Sequence, residues 1–321
     1  MIMSDVSVAP SAWGRSLGFW TRFTLLWMMV ITVTGATVRL TGSGLGCTDW
    51  PTCEVNTELE APGFHSFIEF GNRIISGLAI IPVIGAWLAA RRGQVTGLRL
   101  WFIAMIGGFL GQVLLGMLVT RSELDPRVVL GHFLLSIVLI FIAVMLDHGG
   151  RDHIVELDTD GRTSDATRRT LARFAQAAVA LTAVVIVVGT LVTGSGPHTG
   201  SEESGEPIPR LGFDIREITQ AHSVLVWVLG ALLLWALIVA RRSNARHQRW
   251  LTGLIVLGAA QAIVGYIQYF TGVPALLVGV HIASAVVLWT LMVWYALEAS
   301  TWYGAHLAVD EPTPDRAGVR T

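Results

Sequence analysis

The sequence contains no lysine, so all 22 of its basic residues are arginine. Charge of either sign is scarce, at 14% of 321 residues where a soluble domain carries about 25%. No basic run points to nucleic acid, and a net charge of −1 favours no charged partner. Cysteine occurs only twice, as Cys47 and Cys53, and the C-x-x-C-H pattern of covalent c-type haem attachment is absent.

What is present is apolar sequence, 53% of the chain, gathered into long runs. Eight of them approach the ~20 residues that cross a bilayer: roughly 19–41, 67–90, 98–120, 128–147, 171–194, 217–240, 250–271 and 276–300. The expected fold class is an all-α integral membrane protein with eight transmembrane helices. Too little polar sequence remains to cover these segments as core helices of a soluble protein, and no large soluble domain is left over. Arg39, Arg73, Arg121, Arg127, Arg210 and Arg216 fall on one side of the expected membrane and the other sixteen arginines on the opposite side. The positive-inside rule then makes both termini cytoplasmic, in a multi-pass plasma-membrane protein. The first run lacks a small-residue cleavage site and is long enough to remain as a helix. Cys47 and Cys53 lie in "GLGCTDWPTCEV", in an outer loop where a disulfide can form. A loop staple and a redox-active dithiol both remain open.

The chain also repeats itself. "TGSG" ends the first span at 41–44 and the fifth at 193–196, an offset of 152. Gln112, Gly116 and His132 match Gln261, Gly265 and His281 at an offset of 149, and Asn72 matches His222 at 150. The expected organisation is two pseudo-twofold related four-helix bundles, 1–147 and 171–303, with a cytoplasmic linker at 148–170 and a cytoplasmic tail at 304–321. Four helices per half give both halves the same orientation.

The second half carries His222 and His281 early in spans six and eight, at similar depth below the outer surface. Ionisable residues at membrane depth are functional candidates, and two histidines from different helices of a bundle suit bis-imidazole haem ligation. The alternative is that each imidazole simply bonds a neighbouring carbonyl. Zinc lacks the accompanying Cys, Asp or Glu at ligand spacing. In the first half His132 is present but its partner position holds Asn72, a poor iron ligand, so a haem there keeps an open or weakly filled face. "FIEFGNRIIS", residues 67–76, places Glu69 one turn from Asn72 on the same face. Arg73, Arg127 and Arg216 lie at outer helix ends, suited either to haem propionates or to snorkelling. His65 lies two turns before Asn72 and is a candidate substitute ligand if the helix extends that far. His148, His153, His198, His247 and His306 are expected to be solvated.

"GATVRLTGSGLGCTDWPTC", "IEFGNR", "GH" at 131–132, "AHS" at 221–223 and "VH" at 280–281 together resemble the heme A synthase family across nearly the whole chain. The resemblance implies two four-helix bundles, a haem b held by His222 and His281, and a haem O substrate in the N-terminal bundle. It implies Glu69 as the catalytic carboxylate, His132 as a ligand to the substrate haem iron, and Cys47 and Cys53 as the family's outer-loop pair. The family's second N-terminal histidine is Asn72 here, a catalytic-site position that now offers an amide donor. The reaction implied is oxidation of the C8 methyl of haem O to a formyl group, through an alcohol and a geminal diol. Expected partners are the haem O synthase (protohaem farnesyltransferase) that supplies the substrate, and an electron carrier. The competing readings are a non-catalytic dihaem b-type cytochrome and a haem transporter or chaperone.

Overall fold

In lipid a chain satisfies its backbone within helices or in a closed barrel, and long continuous apolar runs suit helices. The computed structural model describes residues 12–47, 50–53, 63–151, 164–201, 208–243 and 247–310, and these are helical apart from short connections. The helices are α1 (Ala12–Leu40), α2 (Phe64–Leu78), α3 (Ile80–Arg92), α4 (Arg99–Arg121), α5 (Pro126–Gly149), α6 (Asp165–Ser195), α7 (Ile215–Arg242), α8 (Gln248–Phe270) and α9 (Ala275–Asp310). With α2 and α3 taken as one span, eight helices are long and apolar enough to cross a membrane. The expected eight-span all-α class is therefore observed. α6 begins inside the expected linker, and α9 runs past residue 303 to Asp310.

Starts and interruptions follow from particular residues. Asp125 caps α5 by accepting from Arg127 N, with Pro126 in the first turn, where its missing N–H costs nothing. Asp214 caps α7 by accepting from the N–H groups of Arg216 and Glu217. The second span breaks at Ala79 because Pro82 cannot donate to the preceding turn. Ala79 N–H turns to Ser76 O at 3.2 Å, and the indole of Trp27 on α1 donates to Ile75 O at 3.0 Å. Inside the spans, hydroxyls fold back on their own helices: Thr21 donates to Leu17 O, Thr32 to Met28 O and Thr290 to Val286 O.

α6, α7, α8 and α9 pack as a closed ring, each against the next and α9 back on α6. In the first half α1 packs on α2, α3 and α5, and α4 packs on α5. Gly85 lets α3 approach α1 so closely that an added Cβ would lie 2.5 Å from the Trp20 ring. The halves meet through α1 and α5 against α9, and through α5 against α6. Val286, Trp289, Val293 and Trp294 of α9 join the first-half core while Leu288, Met292 and Tyr295 join the second. Trp289 Nε1 donates to Ile137 O at 3.1 Å across this seam.

At the end bearing the cysteines the two halves are also joined by main chain. Gly44 N–H donates to Gly200 O at 2.7 Å, and Ser43 pairs with Ser201 in an isolated bridge. Gly200 has φ +105°, which favours glycine there. The Arg39 guanidinium, at the end of α1, donates to His198 O at 2.9 Å and Thr193 O at 3.2 Å.

Candidate functional site

The candidate residues gather at the cysteine end of the bundle. His132 and His281 are each the seventh residue of their helices, His222 the eighth and Asn72 the ninth. At 1.5 Å rise per residue all four lie about 9–13 Å in from the helix starts.

In the second half the imidazoles of His222 and His281, on diagonally opposed helices of the ring, face each other with centroids 6.5 Å apart and planes at 64°. Two metal–nitrogen bonds of about 2 Å and two half-rings span roughly 6 Å, so the separation admits a metal between them. The carbonyl of Val185 can only accept, so His222 Nδ1 at 3.1 Å is the donor and Nε2 keeps its lone pair for a ligand. The bond to a neighbouring carbonyl and a ligand role thus coexist in one tautomer. His281 Nδ1 is buried without a hydrogen-bond partner among the described residues. Space for both rings comes from glycine: a Cβ on Gly189 would lie 3.0 Å from His222 Cε1, and one on Gly265 3.1 Å from His281 Cε1. Gln261 fixes the turn carrying His281, its amide donating to His281 O at 2.8 Å while its oxygen accepts from Ser284.

The first half is built alike but left less complete. Gln112 donates to His132 O at 3.2 Å and to Ser136 Oγ at 2.5 Å. The carbonyl partner fixes the amide's orientation, and Gln112 Oε1 is then buried with no partner among the described residues, as is His132 Nδ1. A Cβ on Gly116 would lie 3.5 Å from His132 Cε1. Asn72 Oδ1 accepts from Thr34 Oγ1 at 2.8 Å, which leaves the amide N–H groups to point elsewhere.

Glu69 is 6% exposed and bonded at both oxygens. Oε2 accepts from Cys47 N–H at 2.9 Å, and Oε1 pairs with Arg73 at 2.5 Å. Arg73 also donates to Thr52 O at 2.7 Å. Cys47 and Cys53 form a disulfide with Cα atoms 4.8 Å apart, so one carboxylate and one guanidinium clamp the bridged loop onto α2. Gly46 lets the loop touch the first turn of α2, where a Cβ would lie 2.6 Å from the His65 backbone. α2 does extend to His65, whose Nδ1 is 2.9 Å from Ser43 Oγ. Seven residues of helix put His65 about 10 Å above Asn72, a separation that suits the rim of a site better than its centre.

Arg127 and Arg216 are exposed in the first turns of α5 and α7, available to carboxylates. Three histidines expected to be solvated are not. His247 is 2% exposed and packs against Tyr295. His148 stacks edge-on with Trp294, 3.9 Å from Glu298. His198 donates from Nε2 to Val273 O at 2.8 Å. His198 and His247 sit where connections fold back onto helix ends, and His148 lies in the last turn of α5 against α9, placements that apolar periodicity does not reveal. His153 lies outside the described residues. Among the described residues no cluster of three or more His, Cys, Asp or Glu could hold a metal ion.

Fold and site together define a multi-pass helical membrane protein with two matched polar sites, one bearing facing imidazoles. The family described as "Cytochrome oxidase assembly protein" matches residues 18–199, more than half of the chain, and the chain belongs to that family, the heme A synthases. Among curated relatives, heme A synthase of Listeria welshimeri is 27% identical over 310 residues, covering 89% of this chain and 96% of the relative. Heme A synthase of an Exiguobacterium species is 30% identical over 149 residues, 44% of this chain and 49% of the relative. A Thermus thermophilus protein named protoheme IX farnesyltransferase is 27% identical over 303 residues, 90% of this chain but 49% of the relative. The chain thus spans about half the length of this relative.

Proposed function

We propose that the protein oxidises the C8 methyl of haem O to the formyl group of haem A, with a resident haem b in the C-terminal bundle. The observation that carries the reading is the inequality of two matched sites. Where one half faces His222 with His281, the repeat offsets give the other His132 and Asn72 at the matching positions, and the buried Glu69 lies one turn from Asn72.

His222 and His281 are the ligands we assign to the haem b iron, and Arg216 the partner of a propionate. That haem, when bound, supplies a one-electron relay. In the N-terminal bundle His132 holds the iron of the substrate, while the Asn72 amide, turned by Thr34, donates a hydrogen bond on the other face. Arg127 pairs with a substrate propionate. Arg73 is instead the partner of Glu69 and holds that carboxylate in place. Glu69 orients water or takes a proton as the methyl carbon is oxidised. Passing from methyl to formyl costs the carbon four electrons, so an electron carrier in the membrane must accept them. The longer Thermus relatives, named for protoheme farnesylation, support a working partnership with the enzyme that makes haem O. The two bundles are, in this reading, products of a duplication.

Pigment extraction from the purified full-length chain tests the proposal. Haem b together with haem O or haem A supports it. Haem b alone, with no conversion of added haem O, would favour a dihaem cytochrome and overturn it.

A further inference from the structure

The two bundles differ in how they close. In the second half each of the four sides of the ring is packed, including the side between α7 and α8. That side is also latched: the Tyr266 hydroxyl of α8 lies 2.7 Å from Ser223 Oγ and accepts from Trp227 Nε1 at 3.1 Å, both on α7. Ser223 follows His222 directly, and Tyr266 follows Gly265, the glycine against His281. The latch therefore lies at the depth of the facing imidazoles.

The matching side of the first half is the one between α2 and α4. Here α1 packs on α2, α1 on α5 and α4 on α5, whereas α2 and α4 form no packed interface. The packed contact between these spans is that of α3 with α4, beyond the Ala79 break and away from Glu69 and Asn72. The repeat offsets explain the difference. Tyr266 corresponds to Met117, Trp227 to Gly77 and Ser223 to Arg73. No hydroxyl or indole is available, a Cβ on Gly77 would meet open space, and Arg73 is turned to Glu69 and Thr52.

We propose that the N-terminal bundle exchanges its tetrapyrrole sideways with the bilayer through the gap between α2 and α4, and that the Ser223–Tyr266–Trp227 latch seals the equivalent gap around the resident haem. This rests on the function proposed above. The occupant is an amphiphile with an apolar body and carboxylates at one end. Exposed side chains of the flanking helices, Ile74 and Leu78 on α2 and Leu110 and Leu114 on α4, are apolar. Exposed Arg121 and Arg127 stand at the end of α4 and the start of α5, on the cysteine side of the membrane-spanning segments. A lipid-soluble substrate with a prenyl tail and two propionates matches both features, and entry through lipid spares its tail contact with water.

The test uses the full-length chain in lipid nanodiscs. Transplanting the latch with Gly77→Trp and Met117→Tyr is expected to slow conversion of haem O supplied in vesicles while the bis-imidazole spectrum of the other half stays. Tyr266→Phe, which removes both latch hydrogen bonds, is expected to speed transfer of haem from the protein to excess apomyoglobin by about tenfold. Unchanged conversion in the transplant together with unchanged haem loss in Tyr266→Phe would overturn the proposal. If the unsubstituted chain carries no haem and converts none, the functional reading fails and takes this inference with it. A chain that converts haem O equally well with the gap filled leaves that reading standing and sinks the portal alone.

Discussion

Glu69 and Cys47 are joined by a hydrogen bond from the main-chain N–H of the cysteine to the buried carboxylate, 22 residues away in the chain. The candidate catalytic group is thus also the anchor of the disulfide loop, and substitutions must separate the two duties. Glu69→Gln keeps an oxygen for Cys47 N–H but loses the charge facing Arg73. Formation of haem A is expected to fall about 10²-fold or more with the Cys47–Cys53 bridge and the haem b spectrum intact. Glu69→Ala orphans a buried N–H as well and is expected to cost about 1–3 kcal/mol of stability. Haem A formation at the unsubstituted rate in Glu69→Gln would remove the carboxylate from the chemistry.

Asn72→His restores a second imidazole to the N-terminal bundle. A low-spin, six-coordinate signal additional to that of haem b is expected in the optical and paramagnetic resonance spectra, with slower release of product. If the variant turns over and releases haem A as the native chain does, the amide is not what keeps that site exchangeable.

Gly265→Ala places a methyl 3.1 Å from His281 Cε1, and Gly189→Ala one 3.0 Å from His222 Cε1. Each neighbour must shift by a few tenths of an ångström, at a cost of about 1–3 kcal/mol. A lowered haem content or a shifted midpoint potential is expected, read by redox titration of the purified chain. Gly258→Ala, where an added methyl meets nothing within 4 Å, serves as the neutral control on α8.

Gln112 and Gln261 brace the two histidine turns differently, because only Gln261 has both ends satisfied. Gln261→Ala is expected to perturb the haem b spectrum without touching haem O binding. Gln112→Ala should raise KM for haem O and leave that spectrum unchanged. A single phenotype shared by both variants would argue for a general folding defect.

The spans were legible because each is a long apolar run, and His222, His281 and His132 because imidazole is rare at membrane depth. The repeat pointed to Gln112 and Gln261 without saying what they do; their carbonyl partners became visible only once α4 and α5, and α8 and α9, were packed. Pro82 in the second span was a signal for the break at Ala79 that a hydropathy count passes over. Arg39 reads as one more outer arginine, yet it is bonded to carbonyls 154 and 159 residues away. His247 has polar neighbours in sequence and is nonetheless buried, since the turn before α8 folds against Tyr295. Local pattern carries which residues are unusual, while contacts between distant segments decide what they touch.

α9 gives Trp289 to one core and Met292 to the other, and it follows every other span in the chain. During synthesis the first four spans enter the membrane with a face that this late helix, with α6, covers. Neither bundle is finished until the ribosome has delivered α9, so both sites mature at the same moment, and an interrupted chain exposes two unfilled cores to membrane quality control.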